Sequence, residues 1–193
     1  MKIRLATTDD AAAIRKIYEP YVLNTAITFE YEVPTVEEFE RRIRNILEEY
    51  PYLVAIENDE IVGYAYASQF HPRAAYKHSA ELSIYIDKDS RKSGIGKSLY
   101  LELIEILKRQ NVYTVHACVA YADRPDEHLT NDSVAFHEKM GFTVVGKHTD
   151  CGYKFGKWYS MVWMDMKISA DLENVDTFIP FLSVDYSTRY GII

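Results

Sequence analysis

A glycine-rich turn lies between a predicted strand and a predicted helix in the middle of the chain. Residues 79–86 alternate apolar and polar side chains, a pattern typical of a strand. Residues 99–107 carry apolar side chains at helical spacing, and the segment before them, residues 91–98, reads RKSGIGKS. Glycines let a backbone approach a ligand closely, and the free N–H groups at a helix start favour an anion. The sequence therefore predicts a phosphate-binding turn that opens a helix.

Two nucleotide-type motifs compete for this turn. The end of the segment, Gly96-Lys97-Ser98, is similar to the end of a P-loop. A P-loop needs a glycine five residues before Gly96, but this chain has Arg91 there, and no convincing Mg²⁺-binding aspartate follows on a strand. The P-loop kinase interpretation therefore fails, and the pattern that remains is Arg-x-x-Gly-x-Gly.

Composition narrows the class of protein. A chain of 193 residues suits one domain, and 48% hydrophobic with 26% charged residues is typical of a soluble globular protein. Charges interrupt the longest apolar runs and the first residues lack an apolar core, so we expect neither a membrane span nor a signal peptide. Two cysteines make no disulfide framework, which favours the cytoplasm. A net charge of −7 argues against a non-specific nucleic-acid binder.

Strand and helix signals alternate along the rest of the chain. Thr8 is predicted to cap the first helix, which Pro20 should end or kink, and Thr35 with Glu38 forms a capping box for the second. A short helix over residues 133–140 should close at Gly141. Strands are predicted at residues 3–5, 52–57, 61–67, 79–86, 112–120, 142–146 and 158–166. The order β-α-α-β-β-β-α-β-α-β-β predicts one mixed sheet in one domain.

Five further segments occur in a fixed order. They are residues 24–30 (NTAITFE), 70–73 (FHPR), 80–86 (AELSIYI), 136–142 (FHEKMGF) and 152–158 (GYKFGKW). With the Arg-x-x-Gly-x-Gly turn, they resemble the phosphinothricin/methionine sulfoximine acetyltransferase branch of the GNAT superfamily, over roughly residues 2–168. The resemblance implies an α/β (α+β) fold with a single mixed, mostly antiparallel sheet, splayed at its central strands and flanked by helices on both faces. Residues 1–168 would form the domain, and residues 169–193 an extension that could pack on it or on a dimer partner.

The resemblance implies acetyl-CoA as co-substrate and no metal. The pantetheine arm would lie beside the splayed central strand, and the phosphates on the glycine turn. Lys92 could instead be an ordinary surface charge, and the long segment before residue 131 leaves open whether Thr130 or Asn131 holds the family's asparagine position. The cofactor-binding candidates are Ile84, Tyr85, Ile86, Arg91, Lys92, Ser93, Gly94, Ile95, Gly96, Lys97, Ser98, Asn131 and Ser133.

Acetyl transfer to an amine needs a free lone pair, yet an α-amino group with a pKa of about 8 is largely protonated at neutral pH. A carboxylate can take that proton. The resemblance places the general base at Glu81, which could otherwise face solvent or pair with Lys77. A donor to the departing thiolate would be His137 or Tyr85, although a lone helix histidine can equally be structural. The six histidines show no metal-binding spacing.

An amino acid-like acceptor needs a cationic partner for its carboxylate, and arginine binds carboxylates bidentately. Arg73 is the first candidate, though it could be an exposed loop charge; the further acceptor-binding candidates are Phe29, Tyr76 and Lys154. A crop-resistance branch of the family has a histidine where this chain has Phe155, so that histidine's role is not carried over.

The sequence thus predicts a cytoplasmic, homodimeric enzyme that moves an acetyl group from acetyl-CoA directly to the primary amine of a small acceptor, with no nucleic-acid or membrane partner. The branch is usually dimeric, with residues 152–158 near the interface. Two alternatives remain open: an acetyltransferase acting on peptide or protein amines, and a non-catalytic acyl-CoA-binding sensor.

Overall fold

Seven strands form one mixed sheet in this computed structural model, which describes residues 1–91, 93–169 and 175–184. The elements are β1 (Lys2–Leu5), α1 (Ala11–Asn24), α2 (Val36–Leu47), β2 (Tyr52–Glu57), β3 (Glu60–Gln69), β4 (Ser79–Ile86), α3 (Ile95–Arg109), β5 (Thr114–Tyr121), α4 (Asp132–Met140), β6 (Thr143–Lys154) and β7 (Lys157–Lys167). The sheet order is β1-β2-β3-β4-β5-β7-β6, and every neighbouring pair is antiparallel except β4 with β5. The predicted α/β fold with a mixed, mostly antiparallel sheet is confirmed.

The two parallel strands at the centre stay together over a short stretch only. Ser79, Ala80 and Glu81 of β4 pair with the first three residues of β5, and no later residue of either strand pairs with the other. Beyond Glu81 the strands diverge and leave an opening between residues 82–85 and residues 117–120. The predicted splay therefore begins directly after Glu81.

Each face of the sheet carries its own core. Successive residues of β2 point to opposite faces, so Leu53 joins the core under α3, and Val54 joins the core under α1 and α2. Leu99 of α3, Ile14 of α1 and Ile43 of α2 are completely buried in these two cores. Burying such a side chain stabilises the fold by about 1.5–3 kcal/mol. The helices are consequently fixed on both faces of the sheet.

The start of the first helix differs from the prediction. Thr8 is not its cap: residues Thr8–Asp10 form a 3-10 turn, and α1 begins at Ala11. The Asp10 carboxylate accepts hydrogen bonds from the Thr7 N–H (2.8 Å) and from both terminal nitrogens of Arg4 (2.6 and 2.7 Å). The cap is Thr7, one residue earlier, in a local capping box with Asp10, and Arg4 of β1 adds an ion pair to the same carboxylate.

Two other helix predictions have opposite outcomes. Pro20 does not end α1, which continues to Asn24 because buried side chains on both sides of the proline hold the helix in place; the alternative, a kink at Pro20, stays a prediction. At α2 the threonine half of the predicted capping box is confirmed: the Thr35 hydroxyl accepts a hydrogen bond of 3.2 Å from the Glu38 N–H, while the Glu38 carboxylate accepts from Arg41 and Arg42.

The last hairpin is much longer than predicted. Strand β6 extends to Lys154 instead of ending at residue 146, and it pairs with β7 through two register shifts. Its second half is polar and mostly exposed, so hydrophobic alternation gives no strand signal there. The turn is formed by Phe155 and Gly156, both with positive φ (50° and 73°). Residues 152–158 are therefore the tip of a hairpin.

Residues 175–184 of the predicted extension pack on the domain itself. The N–H of Ile179 donates to the Gln110 carbonyl and the N–H of Phe181 to the Glu49 carbonyl, both at 3.0 Å. The Gln110 amide donates to the carbonyls of Glu49 (2.7 Å) and Ile179 (2.9 Å), and Phe181 is buried. The predictions for residues 170–174 and 185–193 lie outside the described residues. None of the described helices has the length and apolarity needed to cross a membrane.

We expect Gly152→Ala to destabilise the protein, because an added Cβ would lie 2.4 Å from the ring of Phe29. Overpacking of this kind lowers the free energy of unfolding by about 1–3 kcal/mol. Gly146→Ala on the same strand is the control, since nothing lies within 4 Å of its added Cβ. Urea unfolding would measure both variants, and equal stabilities would contradict the contact with Phe29.

Candidate active site

The backbone of β4 faces the opening at alternate residues only. The N–H of Asp87, just past the strand, donates to the Val62 carbonyl of β3 (2.8 Å), whereas the N–H of Ile86 donates to the Tyr21 hydroxyl (3.1 Å), which itself donates to the Ile86 carbonyl (2.6 Å). Backbone groups alternate sides along a strand, so those of Leu82 and Ile84 face the opening as well.

Because of this alternation, the three predicted backbone contacts of β4 have different outcomes. Ile84 keeps its N–H and C=O turned towards the opening, as a pantetheine arm would require. Tyr85 turns its backbone towards β3, and Ile86 is already bonded to Tyr21. Sequence reasoning missed Leu82 and Tyr21, although the parity of the strand alone could have indicated Leu82.

The glycine turn leaves free donors at the start of α3. Gly94 has a φ of 89°, a left-handed conformation that favours glycine, and the first helical bond runs from the Ser98 N–H to the Gly94 carbonyl (3.1 Å). The N–H groups of the next three residues, 95–97, are the ones that an α-helix start leaves without a helical partner. Anions bind such groups readily. Of the predicted residues, Gly94 therefore shapes this turn and Ile95, Gly96 and Lys97 present its N–H groups.

The charged and polar residues of the turn have different surroundings. The Arg91 guanidinium lies 4.9 Å from the centre of the Tyr21 ring, and Lys97 is exposed. The Ser93 hydroxyl donates to the Ser90 carbonyl (2.6 Å), so it holds the turn together. Lys92 lies outside the described residues. Arg91 and Lys97 thus leave positive charge at the end of the opening where phosphates would lie.

The two candidates at the start of α4, Asn131 and Ser133, have different contacts. The Asn131 side chain accepts from the Ala122 N–H (3.1 Å) and donates to its carbonyl (2.9 Å), which clamps the chain just past the end of β5. Ser133 lines the opening. Of the two, the structure brings only Ser133 to the opening.

His137 has both ring nitrogens engaged. Its Nδ1 donates to the Ser133 carbonyl (2.7 Å), because a carbonyl can only accept, so Nε2 accepts from the Tyr100 hydroxyl (2.9 Å). Burial lowers the pKa of His137, and the ring therefore stays neutral near pH 7 without a free N–H to give. The proton-donor role of His137 remains a prediction. Its partner Tyr100 also lines the opening, and sequence reasoning missed it.

Tyr85 lines the opening from within an aromatic cluster. Its ring contacts those of Tyr18 (4.9 Å) and Tyr21 (5.1 Å) edge to face and stacks on that of Tyr64 (5.3 Å). Burial raises the pKa of Tyr85 well above its usual value, so the phenol keeps its proton at neutral pH. A protonated phenol beside the opening is compatible with the predicted donor role.

Glu81 stands at the closed end of the opening, on the last paired position of β4. No ion pair or hydrogen bond reaches its carboxylate from the part of the chain that the structure describes. Lys77, its alternative partner, is bound to Glu49 instead (2.6 Å), so that alternative is wrong. Burial raises the pKa of the Glu81 carboxyl, which makes it a better proton acceptor than an exposed carboxylate.

The loop between β3 and β4 lies beside this closed end. Phe70 stacks on the His116 ring with the ring centres 3.8 Å apart, and Tyr76 packs against Phe70 at 5.8 Å. Arg73 and Tyr76 are both exposed on the loop. Phe29 is half-buried and packs over Gly152. These three predicted acceptor residues therefore lie on the two loops that precede α2 and β4.

Lys154 corrects a prediction. Its side chain is buried, and its ammonium donates to the carbonyls of Val22, Thr25 and Thr28, each at 2.8 Å. All three protons are thereby used, and burial lowers the pKa of Lys154. Lys154 fixes the loop after α1 and does not reach out to an acceptor carboxylate.

A strand pair that opens beside free backbone groups, next to a helix start with free N–H donors, accommodates a long thioester with phosphates at one end. A family model described as "Acetyltransferase (GNAT) domain" matches residues 3–163. The chain belongs to the GNAT acetyltransferase family. Within the described residues, no cluster of three histidine, cysteine or acidic side chains is arranged to hold a metal ion.

Two relatives of this GNAT acetyltransferase are named for the compounds that they acetylate. It is 32% identical over 183 residues to a phosphinothricin N-acetyltransferase of Alcaligenes faecalis, covering 92% of this chain and 86% of that protein. It is 30% identical over 172 residues to an L-methionine sulfoximine/L-methionine sulfone acetyltransferase of Salmonella typhimurium, covering 87% and 95%. A crystal structure of a GNAT superfamily phosphinothricin acetyltransferase from Sinorhizobium meliloti in complex with AcCoA matches with a TM-score of 0.79 at 31% identity, over 90% of this chain and 94% of that one.

We expect Gly94→Ala to weaken acetyl-CoA binding. A side chain at a φ of 89° is strained by about 1–2 kcal/mol, and relaxing that strain would turn the N–H groups of α3 away from the phosphates. Gly156→Ala in the β6–β7 turn is the matched control, since its φ is 73° and its added Cβ also meets nothing within 4 Å. Calorimetric titration with acetyl-CoA should separate the two variants; equal affinities would refute the phosphate-binding role of the turn.

We expect Glu81→Gln to raise the free energy of unfolding at pH 7. Because burial raises the pKa of this carboxyl in the folded state, ionised Glu81 lowers stability above that folded pKa. The advantage of glutamine should shrink as the pH falls through that folded pKa, and it should be absent below the unfolded pKa of about 4.3, where the carboxyl is protonated in both states. Urea unfolding at several pH values would test the sign, and a less stable variant at pH 7 would contradict it.

Proposed function

We propose that this enzyme transfers the acetyl group of acetyl-CoA to the primary amine of a small amino acid-like acceptor of the phosphinothricin or methionine sulfoximine type. Glu81 would be the general base. The observation that carries the proposal is an unpaired, half-buried carboxylate at the closed end of an opening between two diverging strands.

The direction of the opening supports a position for the thioester end of acetyl-CoA. The phosphates would lie at the start of α3, just beyond the last residue of β4. The pantetheine arm would then run back along β4, past the free backbone groups of Ile84 and Leu82. Its thioester would arrive where β4 and β5 come together, beside Glu81.

The transfer would then take place without a covalent enzyme intermediate. Glu81 accepts a proton from the ammonium of the acceptor, and the freed lone pair attacks the thioester carbon. The nitrogen gives up a second proton as the C–S bond breaks, and the CoA sulfur leaves with its electron pair and takes up a proton, so that one proton is released to solvent in each turnover. Tyr85, with its raised pKa, and the Tyr100–His137 pair are the candidate donors of the proton that the sulfur takes up.

The acceptor would lie between the two loops described above. Arg73 is exposed and without an ion-pair partner in the described ranges, so it can bind a carboxylate bidentately. Phe29 and Tyr76 would contact the rest of a small molecule. A free amino acid-like acceptor is further supported by the names of the relatives.

We further propose a cytoplasmic homodimer in which the β6–β7 hairpin lies at the interface, and take residues 1–168 as the catalytic domain. Trp158 is 61% exposed and Tyr153 49% on that hairpin, and Tyr31 beside it donates from its hydroxyl to the Tyr153 carbonyl. Exposed aromatic side chains grouped in this way are common at protein interfaces.

We expect Glu81→Gln to lower turnover by a factor of about 10²–10⁴, the usual contribution of a general base, while acetyl-CoA binding changes little. Glu60→Gln, an exposed glutamate at the β2–β3 turn, is the control and should keep full activity. An unchanged turnover number in the first variant would remove Glu81 from the mechanism.

The acceptor class is tested with the wild-type enzyme by CoA-thiol release. The panel would contain phosphinothricin, methionine sulfoximine, free amino acids, polyamines and short peptides. Rapid release with the first two compounds is the expected result. Release with peptides alone would favour the peptide or protein N-acetyltransferase alternative, and acetyl-CoA binding without release would favour a non-catalytic sensor.

A further inference from the structure

Three titratable side chains lie in register across three neighbouring strands. Glu81 of β4 pairs with His116 of β5, and His116 pairs with Asp165 of β7. Residues paired in register point to the same face of a sheet, so the three side chains are neighbours on the face of Glu81. His116 and Asp165 play no part in the function proposed above.

The histidine is held in one orientation. Its Nδ1 lies 2.7 Å from the Asp165 carboxylate, which can only accept, so Nδ1 carries the hydrogen. Phe70 covers one face of the ring in a parallel stack at 3.8 Å. The side chain of His116 is 10% exposed, and its Nε2 is buried without a hydrogen-bond partner in the described structure.

The orphaned nitrogen is turned towards Glu81. The two ring nitrogens lie on different edges of the imidazole, and Nδ1 points to β7. Nε2 therefore faces the opposite neighbour, β4, where Glu81 marks the closed end of the opening. No ion pair or hydrogen bond joins Glu81 and His116 directly within the described ranges, and Nε2 keeps its lone pair without a donor. A buried lone pair without a donor is unfavourable, and a ligand N–H would satisfy it.

The number of protons that the acceptor nitrogen loses indicates that this nitrogen could be the N–H donor to Nε2. The acceptor ammonium carries three N–H hydrogens and the amide product one, so the nitrogen loses two protons in each turnover. One of them is matched by the proton that the CoA sulfur takes up, and the other must reach solvent. Glu81 can hold only one proton at a time, so while it holds the first, the nitrogen needs another acceptor for the second.

We propose that His116 is the second proton acceptor of the reaction and that Asp165 is its positioning residue, an inference that rests on the proposed function. Glu81 takes the first proton from the ammonium, and the amine nitrogen then bonds to the acetyl carbon. The Nε2 lone pair takes the second proton from that nitrogen, the C–S bond breaks, and the sulfur leaves with its electron pair and takes up a proton from the donor beside the opening. When the products leave, Glu81 and His116 each give up their proton: one restores that donor and the other goes to solvent.

The titration of His116 depends on all the groups that face it. Glu81 and Asp165 flank it on the neighbouring strands. The other titratable groups near it belong to its own strand and to the loop that carries Phe70: Cys118, His71 and Tyr76.

The test compares His116→Phe with His148→Phe. The first variant keeps an aromatic ring against Phe70 and removes both nitrogens, while His148 is an exposed residue of β6. We expect His116→Phe to lower kcat/KM for the amine at least about 100-fold with acetyl-CoA affinity unchanged. The acid limb of its pH profile should contain one ionisation fewer than that of the wild type, a change that a purely structural role would not produce.

Asp165→Asn supplies a second, independent readout. In the wild type, ¹H–¹⁵N spectra of the histidine side chains should show His116 with its hydrogen on Nδ1, and in the variant the Nε2–H form should appear with a fall in kcat/KM. Wild-type kinetics and pH profile in His116→Phe, beside an inactive Glu81→Gln, would overturn the role of His116 alone. No turnover by the wild type with any amine would overturn the proposed function and this inference together.

Discussion

The limited pairing of β4 with β5 is the constraint on which the rest of the structure depends. Three residue pairs join the strands, and the backbone of β4 beyond Glu81 is left without a partner strand on that side. Unpaired backbone groups inside a sheet are unfavourable, so a stable split needs other groups to satisfy its ends. Tyr21 does this at Ile86 and Asn131 at Ala122. The middle of the split is left for a ligand that can bond like a strand.

The same split decides where charge can be buried. A carboxylate inside a continuous sheet would need a partner, whereas Glu81 borders an opening that substrate and solvent can enter. The absence of a cation among the described residues around it keeps its pKa raised, which serves proton acceptance. An unpaired, half-buried carboxylate lowers stability, a cost that is common at catalytic sites.

Much of the fold could be predicted because its signals are local. The glycine turn, the Thr35 cap and the strand that carries Glu81 are readable from spacing and residue type, and each lies where it was expected. The first cap was placed one residue late, because Thr7 and not Thr8 forms the capping box with Asp10, whereas the end of β6 was missed because pairing with β7 decides it. A local pattern contains no information about such distant partners.

The site was predictable only in part, for the same physical reason. The family resemblance indicated Glu81 and the local pattern indicated the turn, but the partners of Lys154 and His137 are set by how distant segments meet. No sequence pattern indicated His116, because its proposed role depends on Glu81 and Asp165, which lie on two other strands.

Lys154 has a consequence for the entropy of acceptor binding. Its ammonium ties the end of α1 and the segment up to Thr28 to the tip of the hairpin, and Phe29 follows directly. The segment next to the proposed acceptor position is therefore ordered when the protein folds, before any acceptor binds. A loop that is already ordered loses little conformational freedom on binding, so more of the contact energy remains as affinity.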